Sequence, residues 1–270
     1  MKLTIEKYDP SGNTTAIVTT PVETRLHALL AQKIMARKEL GIEQVGYAQV
    51  PQRPGSLGRL AMMGGEFCGN GSRCFAYHLA MEHIDQGVRQ RVPMECSGME
   101  GVMEVLVEKR GEHAFITAPM PMPIEVRPFY IKGVLLPLTK VVFDGITHVV
   151  VCREASEDLA HRIQRALYRR EPGLPAMGVL FFEEKAQRLT PAVYVDQVGS
   201  FIWEGSCGSG SVAVAAALAA ERGATVEGLT LYQPGGELVV GAKWSQGSVK
   251  SATLSGPVKK CFVDEIELDE

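Results

Sequence analysis

The sequence predicts an α+β protein of two similar halves, each a curved, mostly antiparallel, barrel-like sheet around a central helix. Three observations lead there. The pattern Cys-Gly-[Asn/Ser]-Gly-Ser occurs twice, at Cys68 to Ser72 and at Cys207 to Ser211. Each copy opens a helix-like run almost free of charge: Cys74 to Met81 holds no Asp, Glu, Lys or Arg, only His78 among the side chains that charge near neutral pH, and Ser211 to Ala220 holds none. A helix apolar all round is buried all round, which in a soluble chain of 270 residues calls for a sheet curled about it. Finally, the landmarks flanking the two cysteines recur in the same order, as they do when one supersecondary unit is used twice.

The first half opens with a loop, Gly12-Asn13-Thr14, feeding the β-branched run Thr15 to Val18. An amphipathic helix between Glu23 and Glu39 follows, with Leu26, Leu29, Leu30 and Ile34 at helical spacing, and then a strand from Glu43 to Val50. The Cys68 loop and its helix come next, with a Ser97-Gly98 turn in which Gly98 lies 30 residues after the cysteine. The second half repeats the series. Gly145 precedes the strand Ile146 to Val151, a helix spans Ser156 to Arg170 (Leu159, Ile163, Ala166, Leu167), and a strand runs from Met177 to Phe182. There the turn residue Gly235 falls 28 residues after Cys207. With the boundary near the proline-rich stretch Pro119 to Pro137, the halves are expected over 1–130 and 131–258, residues 259–270 being open to a return to the first half.

Charge narrows the partners. With 28 Lys+Arg against 31 Asp+Glu the net charge is −3, and no basic run offers the face that counterion release from nucleic acid or an anionic membrane needs. No apolar stretch is long enough to span a bilayer, and Glu6 and Asp9 fall where a signal peptide would have its apolar core, so a cytoplasmic protein is expected. Six cysteines without a Cys-x2-Cys pair fit neither a disulfide scaffold nor a zinc site, and no metal is expected. Neither cysteine loop is a Walker A or dinucleotide motif.

Cys68 and Cys207 are set apart from the others by their repeated context. A cysteine just ahead of a buried helix sits at the positive end of the dipole, which is expected to lower its pKa and make thiolate available. The adjoining Gly69, Asn70, Gly208 and Ser209 expose backbone N–H groups to a small anion. Two such thiols around one carboxylate suit inversion at an amino-acid α-carbon: one takes the proton, the other returns one to the opposite face, and no metal or pyridoxal phosphate is required. Cys74, Cys96, Cys152 and Cys261 read as small hydrophobes instead. A histidine heading a hydrophobic strand, as His148 does, is by itself more often structural than catalytic.

At these residues the sequence resembles the diaminopimelate epimerase-like family of cofactor-independent, two-cysteine racemases and epimerases. The resemblance covers Asn13, Glu43 to Tyr47, Cys68 to Gly71, Thr147-His148, Cys207 to Gly210 and Pro234 to Gly236. It implies the same two-half fold, commonly a homodimer, with Cys68 and Cys207 as the bases. Asn13, Gly69, Asn70, Gly208, Ser209 and Glu204 would bind substrate, Glu43 would act beside the cysteines, tuning them or meeting the substrate, and His148 would orient the substrate or a thiol. Where diaminopimelate epimerases hold the distal end of their substrate with a polar clamp, this chain has Met62 to Gly65, Ile146 to His148, Ala176 to Gly178 and Val198 to Ser200. Burying a second zwitterionic end there without partners would cost several kcal/mol, so diaminopimelate is disfavoured. Within the family the resemblance runs nearest to histidine racemases of opine-type metallophore synthesis, through Pro10 to Asn13, Glu66 to Asn70, Ile202-Trp203-Glu204 and Gln233 to Gly236. A small-molecule amino acid, histidine first, is the expected substrate. The alternatives are a diaminopimelate epimerase, a racemase of another amino acid, a non-catalytic amino-acid or metallophore-binding protein, and a thiol redox protein, the last lacking a Cys-x2-Cys dithiol.

Overall fold

The computed structural model of the chain describes residues 1–195 and 199–268; Val198, one of the replaced clamp positions, lies outside them. The chain divides into two compact units, Met1–Pro119 with Ser255–Glu270, and Met120–Leu254. Among the described residues no helix is long and apolar enough to cross a membrane.

The first unit contains β1 (Lys2–Asp9), β2 (Thr15–Val18), β3 (Gln44–Gln49), β4 (Arg59–Met62), β5 (Arg89–Cys96), β6 (Met103–Arg110), β7 (His113–Met120) and the later part of β16 (Ser248–Glu267). These strands are hydrogen-bonded in that order, and β16 pairs back onto β1, Lys2 opposite Glu267, so the sheet closes on itself. Its helices are α1 (His27–Ala36) and α2 (Gly69–Ala80). The expected helix from Glu23 to Glu39 is thus shorter, its ends drawn into tight 3-10 turns at Thr24–Leu26 and Lys38–Leu40, because Arg37 leaves helical geometry at φ −77°, ψ 86°.

In the second unit the start of β16 is followed in pairing order by β15 (Gly236–Ser245), β14 (Val226–Gln233), β12 (Arg188–Val195), β11 (Ala176–Glu183), β10 (Ile146–Val151), β9 (Val134–Phe143) and β8 (Glu125–Ile131), with β13 (Ser200–Trp203) on β12. Its helices are α3 (Glu157–Arg170) and α4 (Gly208–Arg222). Ser156 caps α3, accepting the Leu159 N–H at 3.3 Å, and acidic residues in the first turn with basic ones in the last complement the dipole. The proline-rich boundary is itself folded: Pro128 lies in β8, opposite Thr139 and at the end of the pairing order, the edge position where proline is tolerated.

The repeat read in the sequence is a repeat of connections. Strands β2 and β3 are parallel and joined through α1, β3 and β4 antiparallel, β4 and β5 parallel across α2, and β5 and β6 antiparallel. The same series runs through β10, β11, β12, β14 and β15, with α3 and α4 in the places of α1 and α2. Because side chains alternate along a strand, each sheet serves two helices. Ala16 and Val18 pack with Leu30, Ala31 and Ile34 of α1, whereas Ile17 packs with Cys74, Phe75 and Ala76 of α2. Likewise Val149 and Val151 pack with Leu159 and Ile163 of α3, which turns His148 and Val150 to the other face. In α4 every residue from Gly210 to Ala219 is buried, as its lack of charge requires.

A polar cluster fastens the ring of the first unit. Glu6 on β1 accepts from the Tyr8 hydroxyl and lies 3.0 Å from both His78 Nδ1 and Lys260 Nζ. Desolvation raises the Glu6 carboxyl pKa, but these three partners outweigh it and bring it down to about 2. A carboxylate held below its unfolded value stabilises the fold above about pH 4.5 and loses that contribution as pH falls towards 2, here about 3 kcal/mol. Glu6→Gln is therefore expected to lower unfolding stability by about 2–3 kcal/mol at pH 7 and by much less at pH 3, as read by urea denaturation at the two values. Equal losses at both would show that the charge is not what matters.

Candidate active site

Cys68 is the N-cap of α2, at φ −131° and ψ 115°. Its Sγ accepts the Gly71 N–H at 3.3 Å and lies 3.2 Å from Gln44 Oε1, to which the thiol donates. Gln44 is itself fixed, donating through Nε2 to Thr15 Oγ1 at 2.7 Å. A Cβ on Gly71 would stand 2.8 Å from Met62 Sδ, so any larger residue there would have to push that buried methionine aside. Gly69 and Asn70 are buried in the first turn. Asn13 sits close by in sequence space to β2, at the end of three consecutive left-handed residues, Ser11, Gly12 and Asn13, with φ of 75°, 82° and 59°. Asp9 Oδ1 accepts the N–H groups of Ser11 and Gly12 and holds that loop. Glu43 is exposed and accepts the Thr14 N–H at 2.6 Å; its neighbour Gln44 is the residue on the thiol.

Cys207 is the N-cap of α4 and is buried. Its N–H donates to Gln233 Oε1 at 2.9 Å, Gln233 Nε2 donates to Ser211 Oγ, and Ser211 Oγ donates to the Cys207 carbonyl. Ser209 in the first turn lies 3.7 Å from the thiol and 2.9 Å from His148 Nε2. Glu204, half-buried, adds its charge and a side-chain hydrogen bond to Cys207. Among the described residues, His148, Ser209, Cys207, Glu204 and Gly208 thus form one cluster, and Cys68, Gly69, Asn70 and Gln44 another.

Strand register explains why each thiol has a different neighbour. In the parallel pair β2–β3, Thr15 stands opposite Gln44; in β10–β11, His148 stands opposite Gly178. In the first unit a small residue on β2 leaves room for a long amide from β3. In the second the long ring comes from β10 and the space is vacated on β11, where a Cβ on Gly178 would be 2.3 Å from His148 Nδ1. The turns that follow the cysteines have a similar logic. Gly98, at φ 68°, lies so close to the segment before Cys68 that a Cβ would be 2.2 Å from the Phe67 nitrogen, and Gly235 donates its N–H to the Gly205 carbonyl at 2.7 Å. Both turns buttress a cysteine loop.

The thiol pKa values run opposite to the sequence expectation. Burial pushes Cys68 up to about 11, and the Gly71 N–H and Gln44 only moderate the rise. Cys207 is raised too, by burial first and then by the charge and hydrogen bond of Glu204, with Gly210 and Ser209 opposing. One N–H and a partial dipole charge weigh less than removing a thiolate from water. Both thiols are therefore protonated at neutral pH.

His148 is fully buried, and desolvation lowers its pKa to about 3. Folded protein therefore binds fewer protons than unfolded protein between about pH 3 and 6.5, and stability falls as pH drops through that window, by up to about 1.4 kcal/mol per pH unit. His148→Gln is expected to flatten this acid limb in a thermal-unfolding series from pH 7 to pH 4; an unchanged slope would contradict a neutral, buried imidazole.

Sequence reasoning missed Gln44, Gln233 and Arg73. The first two lay within quoted segments, Glu43 to Tyr47 and Gln233 to Gly236, but nothing in a glutamine signals that one will accept from the Cys68 thiol and the other from the Cys207 main chain. Among the described residues no group of three or more His, Cys, Asp or Glu side chains could hold a metal ion. A pocket of about 1040 Å³ in the first unit is lined by Met62, Met63, Gly64 and Gly65 together with His27 and His78, and none of the expected site residues borders it.

The model of the family described as the histidine racemase CntK N-terminal domain matches residues 2–261. A histidine racemase of Staphylococcus aureus is 25% identical over 269 residues, covering 96% of this chain and 97% of its own. One from Fusobacterium nucleatum is 32% identical over 216 residues, 77% of each chain. Among solved structures, a hydroxyproline epimerase from Agrobacterium vitis with bound trans-4-hydroxy-L-proline superposes at a TM-score of 0.66, with 13% identity over 100% of this chain and 93% of that one, and so shares the fold. The chain belongs to the histidine racemase family and is an isomerase.

Proposed function

We propose that the chain interconverts L- and D-histidine without a cofactor, Cys68 and Cys207 being its two acid–base groups. The observation that carries this reading is the recurrence, in both units, of a cysteine N-cap with a glycine three residues on, at the head of a buried helix. Inversion needs one group to remove the α-proton and a second to protonate the other face. The substrate carboxylate would accept the N–H groups of Gly69, Asn70, Gly208 and Ser209, with Asn13 and Glu204 engaging the ammonium end. The proton passes from Cα to one thiolate while the opposite thiol loses its own to the carbanion, so the enzyme ends with the roles of the two sulfurs exchanged. The charge and hydrogen bond of Glu204 favour the protonated, donor form of Cys207, whereas Cys68 accepts the Gly71 N–H and donates to Gln44. Since both thiols are protonated at rest, one first gives its proton to solvent, and the ammonium of the bound zwitterion favours the thiolate that this leaves.

Support for histidine comes from the named relatives and from the loss of the diaminopimelate clamp. A homodimer in the cytoplasm, with the D-isomer used in metallophore assembly, is carried by the family resemblance. The test is a panel of L-amino acids followed by circular dichroism without pyridoxal phosphate and with EDTA. L-Histidine is expected to lose its signal fastest; faster loss with LL-diaminopimelate, or binding without any loss, would overturn the reading.

A further inference from the structure

Arg73 is a cation fully enclosed by protein, one turn into α2 from Cys68. One nitrogen, NH2, donates to the Pro10 carbonyl at 2.7 Å and to Asn70 Oδ1 at 2.8 Å, while Nε and NH1 have no hydrogen-bond partner among the described residues. No carboxylate within ion-pair distance balances it among those residues, although Cys68, Cys74 and Asp9 are near enough to act on it electrostatically. Enclosing a guanidinium on these terms is costly, and a role as mere filling would be met more cheaply by methionine or leucine.

What the guanidinium does is decided by hydrogen-bond polarity. It has five N–H donors and no acceptor, so the atom of the Asn70 amide that faces it must be the oxygen. The Asn70 NH2 then falls on the other side of the amide, as a donor. Through Pro10 the same nitrogen grips the loop whose left-handed run ends at Asn13. We infer that Arg73 is a positioning residue: it orients the Asn70 amide so that its NH2 faces an anion, the substrate carboxylate, at the head of α2, and ties the Asn13 loop to that helix. The carboxylate part of this inference rests on the proposed function above.

The probe is alkylation of Cys68 by iodoacetate, which carries a carboxylate, against neutral iodoacetamide, each rate divided by that of a free thiol and Cys68 read by peptide mass spectrometry. Wild-type protein is expected to favour iodoacetate on the order of tenfold. Arg73→Met and Asn70→Ala should each remove most of that preference, and the double variant should lose no more than either alone, since Arg73 acts through Asn70. Arg73→Lys keeps the charge but not the fork and should behave like Arg73→Met. Asn70→Asp pairs with Arg73, so melting temperature should hold or rise, yet the donor is gone and the preference should vanish. Preference retained in Arg73→Lys with additive losses in the double variant would reduce Arg73 to a point charge; no preference in wild-type protein, or preference surviving in Arg73→Met or Asn70→Asp, would overturn the inference. These readouts are independent of turnover, so a protein that shows them but racemises no amino acid refutes the proposed function and leaves the Arg73 assignment standing.

Discussion

Cys68→Ser and Cys207→Ser are each expected to cut histidine racemisation in both directions by on the order of 10² to 10⁴-fold, the range a positioned acid or base supplies. A serine hydroxyl is a far weaker acid than a thiol, so it can occupy the place without passing through the anion. Folding should survive. A hydroxyl at position 68 can still accept the Gly71 N–H, and at position 207 the Gln233–Ser211 bonds that shape the loop involve only the main chain of the cysteine. Melting temperatures within a few degrees of wild type would separate lost chemistry from lost structure. Cys74 and Cys96, buried in the core around α2, are the controls: serine there costs stability but not the reaction. Near-normal racemisation in either Cys68→Ser or Cys207→Ser would remove that thiol from the mechanism.

A single methyl group at position 178 is expected to be nearly as damaging. In Gly178→Ala the new Cβ would stand 2.3 Å from His148 Nδ1 and 2.8 Å from its Cε1, and the ring cannot withdraw. It is fully enclosed, with Phe143 edge-on at 6.0 Å. Either β10 and β11 shift or the ring gives up Ser209, the residue that links it to Cys207. Overpacking of this kind costs about 1–3 kcal/mol, and activity should fall with the displaced Ser209. Removing the obstacle tests the cause: Gly178→Ala combined with His148→Ala should be more stable than Gly178→Ala alone, by thermal unfolding. An alanine at 178 that leaves stability and turnover untouched would show that His148 is not held as the structure places it.

The parts of the molecule that were legible in the sequence are those encoded locally. Two cysteines before glycine-rich turns, the uncharged runs Cys74 to Met81 and Ser211 to Ala220 and the Ser156 helix start are all readable from neighbours a few residues apart. The Gly98 and Gly235 turns were legible as a spacing, though their purpose, propping the segment before each cysteine, appears only in three dimensions. Strand register hid the rest. That Gln44 reaches Cys68 follows from its place opposite Thr15, and that Gly178 exists to admit His148 follows from their pairing; neither is a property of the residues themselves. The strands β8 and β9 lay in a proline-rich stretch read as a boundary, and edge placement makes the proline of β8 harmless. The thiol pKa values were misjudged because a helix terminus is visible in sequence and the depth of burial that outweighs it is not.

Racemisation of L-histidine in D2O, followed by mass spectrometry of each isomer at early times, bears most directly on the two-thiol reading. If one sulfur removes the proton and the other, exchanged with solvent, returns one, the D-histidine formed carries deuterium from the first turnovers while the remaining L-histidine stays protiated. Deuterium entering the L-isomer as fast as the D-isomer would mean that a single group serves both faces, and the assignment of Cys68 and Cys207 as a pair would fail.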